Sequence, residues 1–356
     1  MNAKKISLYT CAIVIIGLIC VYSASHIWAL YKFNDSYYFI KRQSLFAVVG
    51  IIGMLIASKI DYHIYQKHSV KILLLCYVLL ILVLIPGLGV VRGGSRSWFN
   101  LGVFALQPSE IFKIGMIIFS ADYIEKHFHQ MRKLKCSLKL FLFVGLGFLL
   151  IMMQPDFGSG VVMVCSIVVM IIATPFPFFY FIILAILGII GIVLMIISAP
   201  YRMERILSFL DPFKDPLGSG FQAIQSLYAI GPGGLLGVGF DKSIQKHFYL
   251  PEPQTDFIFA IFAEEFGFLG ASFLILLYYQ LFKTVLRACK ETKDVFGCFM
   301  MLGIISMIAI QSLINLGVVV GLFPVTGVTL PLMSYGGTSL TITLISIGIM
   351  INISKY

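Results

Sequence analysis

The sequence predicts an all-α, polytopic membrane fold of ten spanning helices with one large structured outer loop, and three observations carry that prediction. Hydrophobic residues make up 59% of the 356 and charged residues only 12%, against about 25% charged in a soluble chain. Apolar runs near the roughly 20 residues that cross a hydrocarbon core of about 30 Å recur from end to end. The strand-like alternation that would mark an outer-membrane barrel is absent from those runs.

Taken in order, the runs are 8–27, 43–59, 69–87, 108–125, 139–154, 159–174, 178–198, 256–282, 295–322 and 338–354, forming a single membrane domain over 1–356. The fifth and sixth are short, and Thr174 to Phe178 leaves only a Pro-containing turn between the sixth and seventh. The first run continues as a span with no small-residue cleavage site after it, so no cleavable leader is expected. An even count puts both termini on one side. With that side inside, fifteen Lys and Arg fall on inner segments and ten on outer ones, with Lys113 within a span. The inner excess places both termini in the cytoplasm.

The net charge of +10 does not point to nucleic acid, because the inner charges sit at helix ends where they face anionic lipid. The seven cysteines fall in spans or on the inner side, so no disulfide framework is expected. They do not cluster with His at metal-ligand spacing, and the six His are scattered. No metal site or cofactor is evident.

Two outer segments are too long and polar to be connectors. The first, Gly87 to Glu110, contains Arg92-Gly-Gly-Ser-Arg96-Ser-Trp98. The second, about 199–255, joins spans seven and eight. Its Asp211-Pro212 and Asp215-Pro216 read as turns. Phe221, Ile224, Leu227 and Tyr228 then recur at helical spacing, as in a helix lying in the outer interface. Gly231-Pro232-Gly233-Gly234 and Gly237-Val238-Gly239 lack the Lys-Ser/Thr of a phosphate loop and read as turns in a tight cap. The loop closes on Pro251-Glu252-Pro253-Gln254-Thr255-Asp256, with Thr255 placed to cap the eighth helix and Asp256 in its first turn. A carboxylate there either stabilises the helix dipole or performs chemistry on a lipid headgroup at the membrane face.

Charged residues inside spans are costly and each needs a reason. Glu110 and Lys113, three apart, can pair on one helical face. Asp156 follows Gln154-Pro155 at the end of the fifth span, and Glu264 with Glu265 lie inside the eighth, to shape a cavity or pair with a basic group. Gly317-Val-Val-Val-Gly321 is a match to the close-packing GxxxG pattern.

In sequence the chain resembles the SEDS family (shape, elongation, division and sporulation), which includes RodA, FtsW and SpoVE. The resemblance rests on Gly94-Ser-Arg-Ser-Trp-Phe-Asn-Leu-Gly102, Gln107-Pro-Ser-Glu110 with Lys113, Gln154-Pro-Asp-Phe-Gly158, and Tyr201-Arg202 with Arg205. It continues through Asp215-Pro-Leu-Gly-Ser-Gly-Phe-Gln222, Tyr249 to Phe259, Glu264-Glu265, Asn315-Leu-Gly317 and Leu330 to Gly337, in order along essentially the whole chain. Gly327-Val-Thr-Leu-Pro331 is similar to the FtsW/SpoVE branch of Gram-positive bacteria, leaving cell division and sporulation both open. The resemblance implies ten spans and a peptidoglycan glycosyltransferase that polymerises lipid II, the undecaprenyl-pyrophosphate-linked disaccharide-pentapeptide. It also implies a class B penicillin-binding protein as transpeptidase partner, with other divisome or spore-cortex proteins, in the cytoplasmic membrane at the septum or forespore. The family's catalytic Asp falls on Asp256 and its functionally important outer-loop Trp on Trp98.

On that footing Asp256 is expected to act as general base. Arg96, Arg202, Arg205, Lys242 and Lys246 are candidates to neutralise the departing pyrophosphate, whose charge a divalent cation is also able to share. Trp98 either stacks on a sugar or anchors at the interface. Two rival classes are a lipid II flippase, which should show internal repeats and broken helices near the midplane, and a non-catalytic scaffold for the transpeptidase. No repeat is visible, and a scaffold leaves Asp256 and the long polar loop without a purpose.

Overall fold

The computed structural model describes residues 2–92, 94–100, 102, 105–197 and 200–356; the side chains at 92, 192, 194–196, 200–202, 205 and 206 lie outside that description. The helices are α1 (Asn2–Phe33), α2 (Tyr38–Ala57), α3 (His63–Lys67), α4 (Ser69–Leu84), α5 (Pro108–His127), α6 (Leu134–Met152) and α7 (Phe157–Ile172). They continue as α8 (Phe178–Ile197), α9 (Pro200–Leu210), α10 (Phe221–Gly233), α11 (Ile258–Glu291), α12 (Val295–Val319) and α13 (Gly337–Ile353). The ten predicted spans coincide with α1, α2, α4 to α8 and α11 to α13. Five of these, α1, α2, α6, α11 and α12, are long and apolar enough on their own to cross a bilayer, and α4, α7, α8 and α13 supply shorter apolar helices. This is a multi-pass membrane protein.

Local sequence sets the helix starts. Pro108 opens α5 with Glu110 in its first turn and Lys126 and His127 in its last, matching the helix dipole at both ends. Asp156 caps α7 by accepting from the Ser159 N–H at 3.2 Å, and Asp294 caps α12 by accepting from Gly297 N–H at 2.7 Å. α12 is the central helix, packed against α5, α7, α11 and α13. α2 and α13 pair most closely, because Gly348 lets the backbones meet: a Cβ there would lie 2.3 Å from the Met54 carbonyl oxygen.

Several features were not anticipated. The first outer segment folds into a small antiparallel sheet of β1 (Gly89–Arg92), β2 (Ser95–Asn100) and β3 (Ala105–Leu106), with Val90 opposite Trp98 and Phe99 opposite Leu106. The Gly317–Gly321 pattern does not join two helices. α12 ends at Val319, and Gly317 instead accommodates the Phe323 ring as the chain folds back, with Leu322 N–H bonded to the Gly317 carbonyl at 2.7 Å. The helix expected from Phe221, Ile224, Leu227 and Tyr228 forms as α10. It packs on α11 and α12, burying Ile224, Ala229 and Ser226, whose hydroxyl donates to the Val319 carbonyl at 2.8 Å.

The glycines after α10 are not cap turns either. α11 is broken at Gly267, whose φ of 64° is left-handed. The freed backbone groups are taken by residues 234–239: Val238 and Gly239 N–H donate to the Glu264 and Glu265 carbonyls at 3.0 and 3.0 Å. On the far side of the break, Phe268 and Leu269 N–H donate to the Gly234 and Leu235 carbonyls at 2.8 and 3.1 Å. A span interrupted in an apolar medium is tolerated only where other protein satisfies its backbone, and this segment does so. Gly237 sits where a Cβ would be 2.1 Å from the Glu265 carbonyl oxygen, which explains why the segment is glycine-rich.

Candidate active site

Asp256 does not lie in the first turn of α11. The helix starts at Ile258 after Phe257, and Thr255 does not cap it. Its hydroxyl instead donates within the turn, to the Glu252 carbonyl and to Asp256 Oδ1, each at 2.8 Å. Phe257 and Ile258 are fully buried and anchor the turn from below. From the side, the Asn315 amide of α12 donates to the Asp256 carbonyl at 2.7 Å and to the Val328 carbonyl at 2.7 Å. The Tyr335 N–H donates to the Gln254 carbonyl at 2.8 Å. A half-buried carboxylate is thus fixed where the end of the second outer loop, α12 and the segment before α13 converge. Backbone anchoring on three sides is what a pre-organised acid–base group requires.

The two glutamates of α11 bind the outer loop ahead of Asp256. Glu264 accepts from Ile244 N–H at 2.8 Å and from the Ser243 hydroxyl. Glu265 accepts from the Ser23 hydroxyl of α1 at 2.5 Å and from Lys246 Nζ at 3.2 Å. Lys246 is therefore the basic group that Glu265 meets. Its ammonium is fully buried and also bonded to Asp241 and, at 3.2 Å, to Ser23 Oγ. The expectation that Lys246 meets a pyrophosphate is not supported by this geometry, because the charge is spent inside the protein. Lys242 is exposed on the same loop.

Arg96 and Trp98 lie half-buried on β2, and Arg96 Nη1 reaches the Leu84 carbonyl at 3.4 Å. The sheet is tied to the bundle by the Ser95 hydroxyl, which donates to the Gln154 carbonyl, and by Thr338 Oγ1, which donates to the Ala105 carbonyl at 2.6 Å. Arg202 and Arg205 fall on the helix Pro200–Leu210, with their side chains outside the described ones.

Glu110 and Lys113 form the expected pair at 2.8 Å, both buried. Lys113 also donates to Gln311 Oε1 at 3.0 Å, and the Gln311 amide donates to the Thr329 carbonyl at 3.1 Å. Asp156 accepts from Gln107 Nε2 and Ser109 Oγ, both at 3.0 Å, lashing the start of α5 to the start of α7. Gln311 and Asn315 were not among the sequence candidates. Their signal was a pair of amides four apart on an otherwise apolar helix, which puts both on one face. Together they hold the segment 328–329 against the Asp256 turn. Among the described residues, no three His, Cys, Asp or Glu side chains group in a way that would hold a metal ion.

Compared with known proteins, residues 4–356 match the family model FTSW_RODA_SPOVE, described as cell cycle protein. The chain belongs to the FtsW/RodA/SpoVE family. It is 49% identical over 363 positions to the stage V sporulation protein E of Bacillus subtilis (strain 168), covering 100% of this chain and 99% of that one. It is 40% identical to a probable peptidoglycan glycosyltransferase FtsW of Trichlorobacter lovleyi, covering 95% of this chain and 89% of that one. Among solved structures it is similar to a chain from work on the structural coordination of polymerization and crosslinking by a peptidoglycan synthase complex. That match has a TM-score of 0.81 and 28% identity, over 98% of this chain and 96% of the other. The rod shape determining protein RodA of Thermus thermophilus shares the fold, with a TM-score of 0.74 and 22% identity over 98% of this chain and 95% of its own.

Proposed function

We propose that this protein is a peptidoglycan glycosyltransferase that polymerises lipid II into glycan strands at the outer face of the cytoplasmic membrane, with Asp256 as its general base. The observation that carries the reading is the Asp256 carboxylate itself, held half-buried at the mouth of the bundle by Asn315 and the Thr255 turn, in a family with relatives named for this reaction.

In the step proposed, Asp256 takes the proton of the GlcNAc 4-hydroxyl of the acceptor lipid II. The freed oxygen forms a bond to the anomeric carbon of the MurNAc at the lipid-linked end of the growing strand. The bond from that carbon to the pyrophosphate breaks, and undecaprenyl pyrophosphate leaves with the electron pair. General-base assistance contributes about 10² to 10⁴-fold. Arg96, Lys242, Arg202 and Arg205 remain the cations proposed for the leaving pyrophosphate, and Trp98 the group proposed to meet a sugar face. A divalent cation at this step would draw its ligands largely from pyrophosphate oxygens. Both termini are then cytoplasmic, and a class B penicillin-binding protein cross-links the product at a septum or forespore, alongside other division or cortex proteins.

The test is reconstitution of the full chain in proteoliposomes with purified lipid II and a candidate transpeptidase partner. Glycan strands on a gel are the expected result. Transbilayer movement of lipid II without strands would replace the reading with a flippase. Partner retention with neither activity would leave a scaffold.

A further inference from the structure

The least expected group in the molecule is Lys246. It comes from a polar loop, yet its side chain is 0% exposed, beside Glu265 at 2%. A buried ammonium is tolerable only when paired and hydrogen-bonded, and here Nζ meets Glu265 Oε1 at 3.2 Å, Ser23 Oγ at 3.2 Å and Asp241 Oδ1. Three separate stretches of chain converge on it: α1 through Ser23, the loop through Asp241 and Ser243, and α11 through Glu265.

The place of this cluster in the chain matters more than its strength. Lys246 and Glu265 flank Asp256 on either side in sequence, so their contact closes a loop with Asp256 near its middle. Glu264 adds a second tie, accepting from Ile244 N–H at 2.8 Å and from the Ser243 hydroxyl. Immediately before this loop, residues 234–239 fill the α11 break at Gly267. The carboxylate is therefore held from two directions. Asn315 fixes its backbone to α12, and the Lys246–Glu265 clamp fixes the length and height of the chain leading to it. A buried ion pair is a weak source of stability, but separating its partners leaves a charge uncompensated, which makes a shift of the chain at this contact costly.

We infer that Lys246 is a positioning residue for Asp256: through Glu265 and Ser23 it sets where the carboxylate stands over α12, and it does not touch substrate. The inference rests on the glycosyltransferase reading for its kinetic consequence and on the fold alone for its structural one. Displacing a base by about 1 Å costs roughly 10²-fold in the chemical step, while binding of the lipid-linked substrate, made elsewhere, is unchanged.

The experiment compares wild type with Lys246→Arg, Lys246→Met, Lys246→Met/Glu265→Gln and the charge exchange Lys246→Glu/Glu265→Lys, each as full-length protein in proteoliposomes with lipid II. Lys246→Met should lower kcat by about tenfold or more with KM within about twofold. Lys246→Arg should keep near-wild-type kcat, whereas the charge exchange, which sets a carboxylate against Asp241, should stay as slow as Lys246→Met. The neutral double variant, which buries no lone charge, should fold and show the same kcat loss; it decides the question if the single variant does not accumulate. A KM raised about tenfold with kcat unchanged, steepening with salt, would make Lys246 a pyrophosphate contact and overturn the inference, as would wild-type kinetics in the double variant. Independently of any activity, hydrogen exchange of residues 247–257 should speed up in the Met variants. Unchanged exchange there would sink the clamp even if the protein polymerises lipid II, whereas faster exchange in the Met variants, with a wild type that makes no strands, would leave the clamp standing and remove only the reaction.

Discussion

Replacing Lys113 by Met removes a cation that two buried oxygens depend on. Glu110 Oε1 lies 2.8 Å from Nζ and Gln311 Oε1 3.0 Å from it, with Lys113 1% and Glu110 6% exposed. Breaking one side of a buried pair costs about 3–5 kcal/mol. The double variant Glu110→Gln/Lys113→Met buries no charge and should recover most of that loss. The assay is thermal unfolding in detergent micelles, followed by tryptophan fluorescence, for wild type and both variants at pH 7. A single variant as stable as wild type at pH 7, or a double variant less stable than the single, would refute the reasoning.

Gly267→Ala should be among the most damaging single changes, since the φ of 64° is left-handed and the new Cβ would lie 2.3 Å from Gly237 N. Expelling residues 234–239 would forfeit four backbone hydrogen bonds at about 1 kcal/mol each; a melting temperature equal to wild type would contradict this account of the break. In the outer loop, the Ser219 N–H and then its hydroxyl, bonded to Asp215 Oδ2 at 2.8 and 3.1 Å, hold the Asp215 carboxyl below the usual range. A depressed value means the turn is supported above about pH 4, the ordinary carboxyl range, and loses that support as pH falls through the lowered one. Hydrogen exchange of 215–220, corrected for the intrinsic pH dependence, should show protection lost on acidification in wild type and already reduced at pH 7 in Asp215→Asn. Identical protection in the two proteins would refute it.

The ten spans were legible because burial in lipid demands nothing more than length and apolarity, and that is a local property. Their ends were not. α1 runs Asn2–Phe33 where hydropathy marks 8–27, because the helix continues through Lys4, Lys5 and Lys32, whose charges close the apolar window without breaking the helix. The sheet of the first outer loop escaped notice because its strands are two to six residues long and alternate too briefly to register. Glu110 with Lys113 was legible as a helical pair, since spacing alone brings those two together. Lys246 was misjudged as a substrate contact for the opposite reason. Asp241 stands five residues before it, but its other partners, Glu265, beyond the Asp256 turn, and Ser23, in the first helix, are brought to it only by the tertiary fold. The glycines of 231–239 looked like surface turns because nothing local signals that a helix distant in sequence is broken to receive them.

The most direct test of the central claim is the rate of strand formation from purified lipid II by wild type, Asp256→Ala and Asp256→Asn, each reconstituted with the candidate transpeptidase. All three must first be shown to be folded and partner-bound. The account predicts strands from wild type and a loss of about 10²-fold or more in both variants. Asparagine keeps the shape and the Asn315 contact to the main chain but cannot take the proton. Variants that polymerise lipid II at the wild-type rate would make Asp256 a structural turn residue and place the base elsewhere.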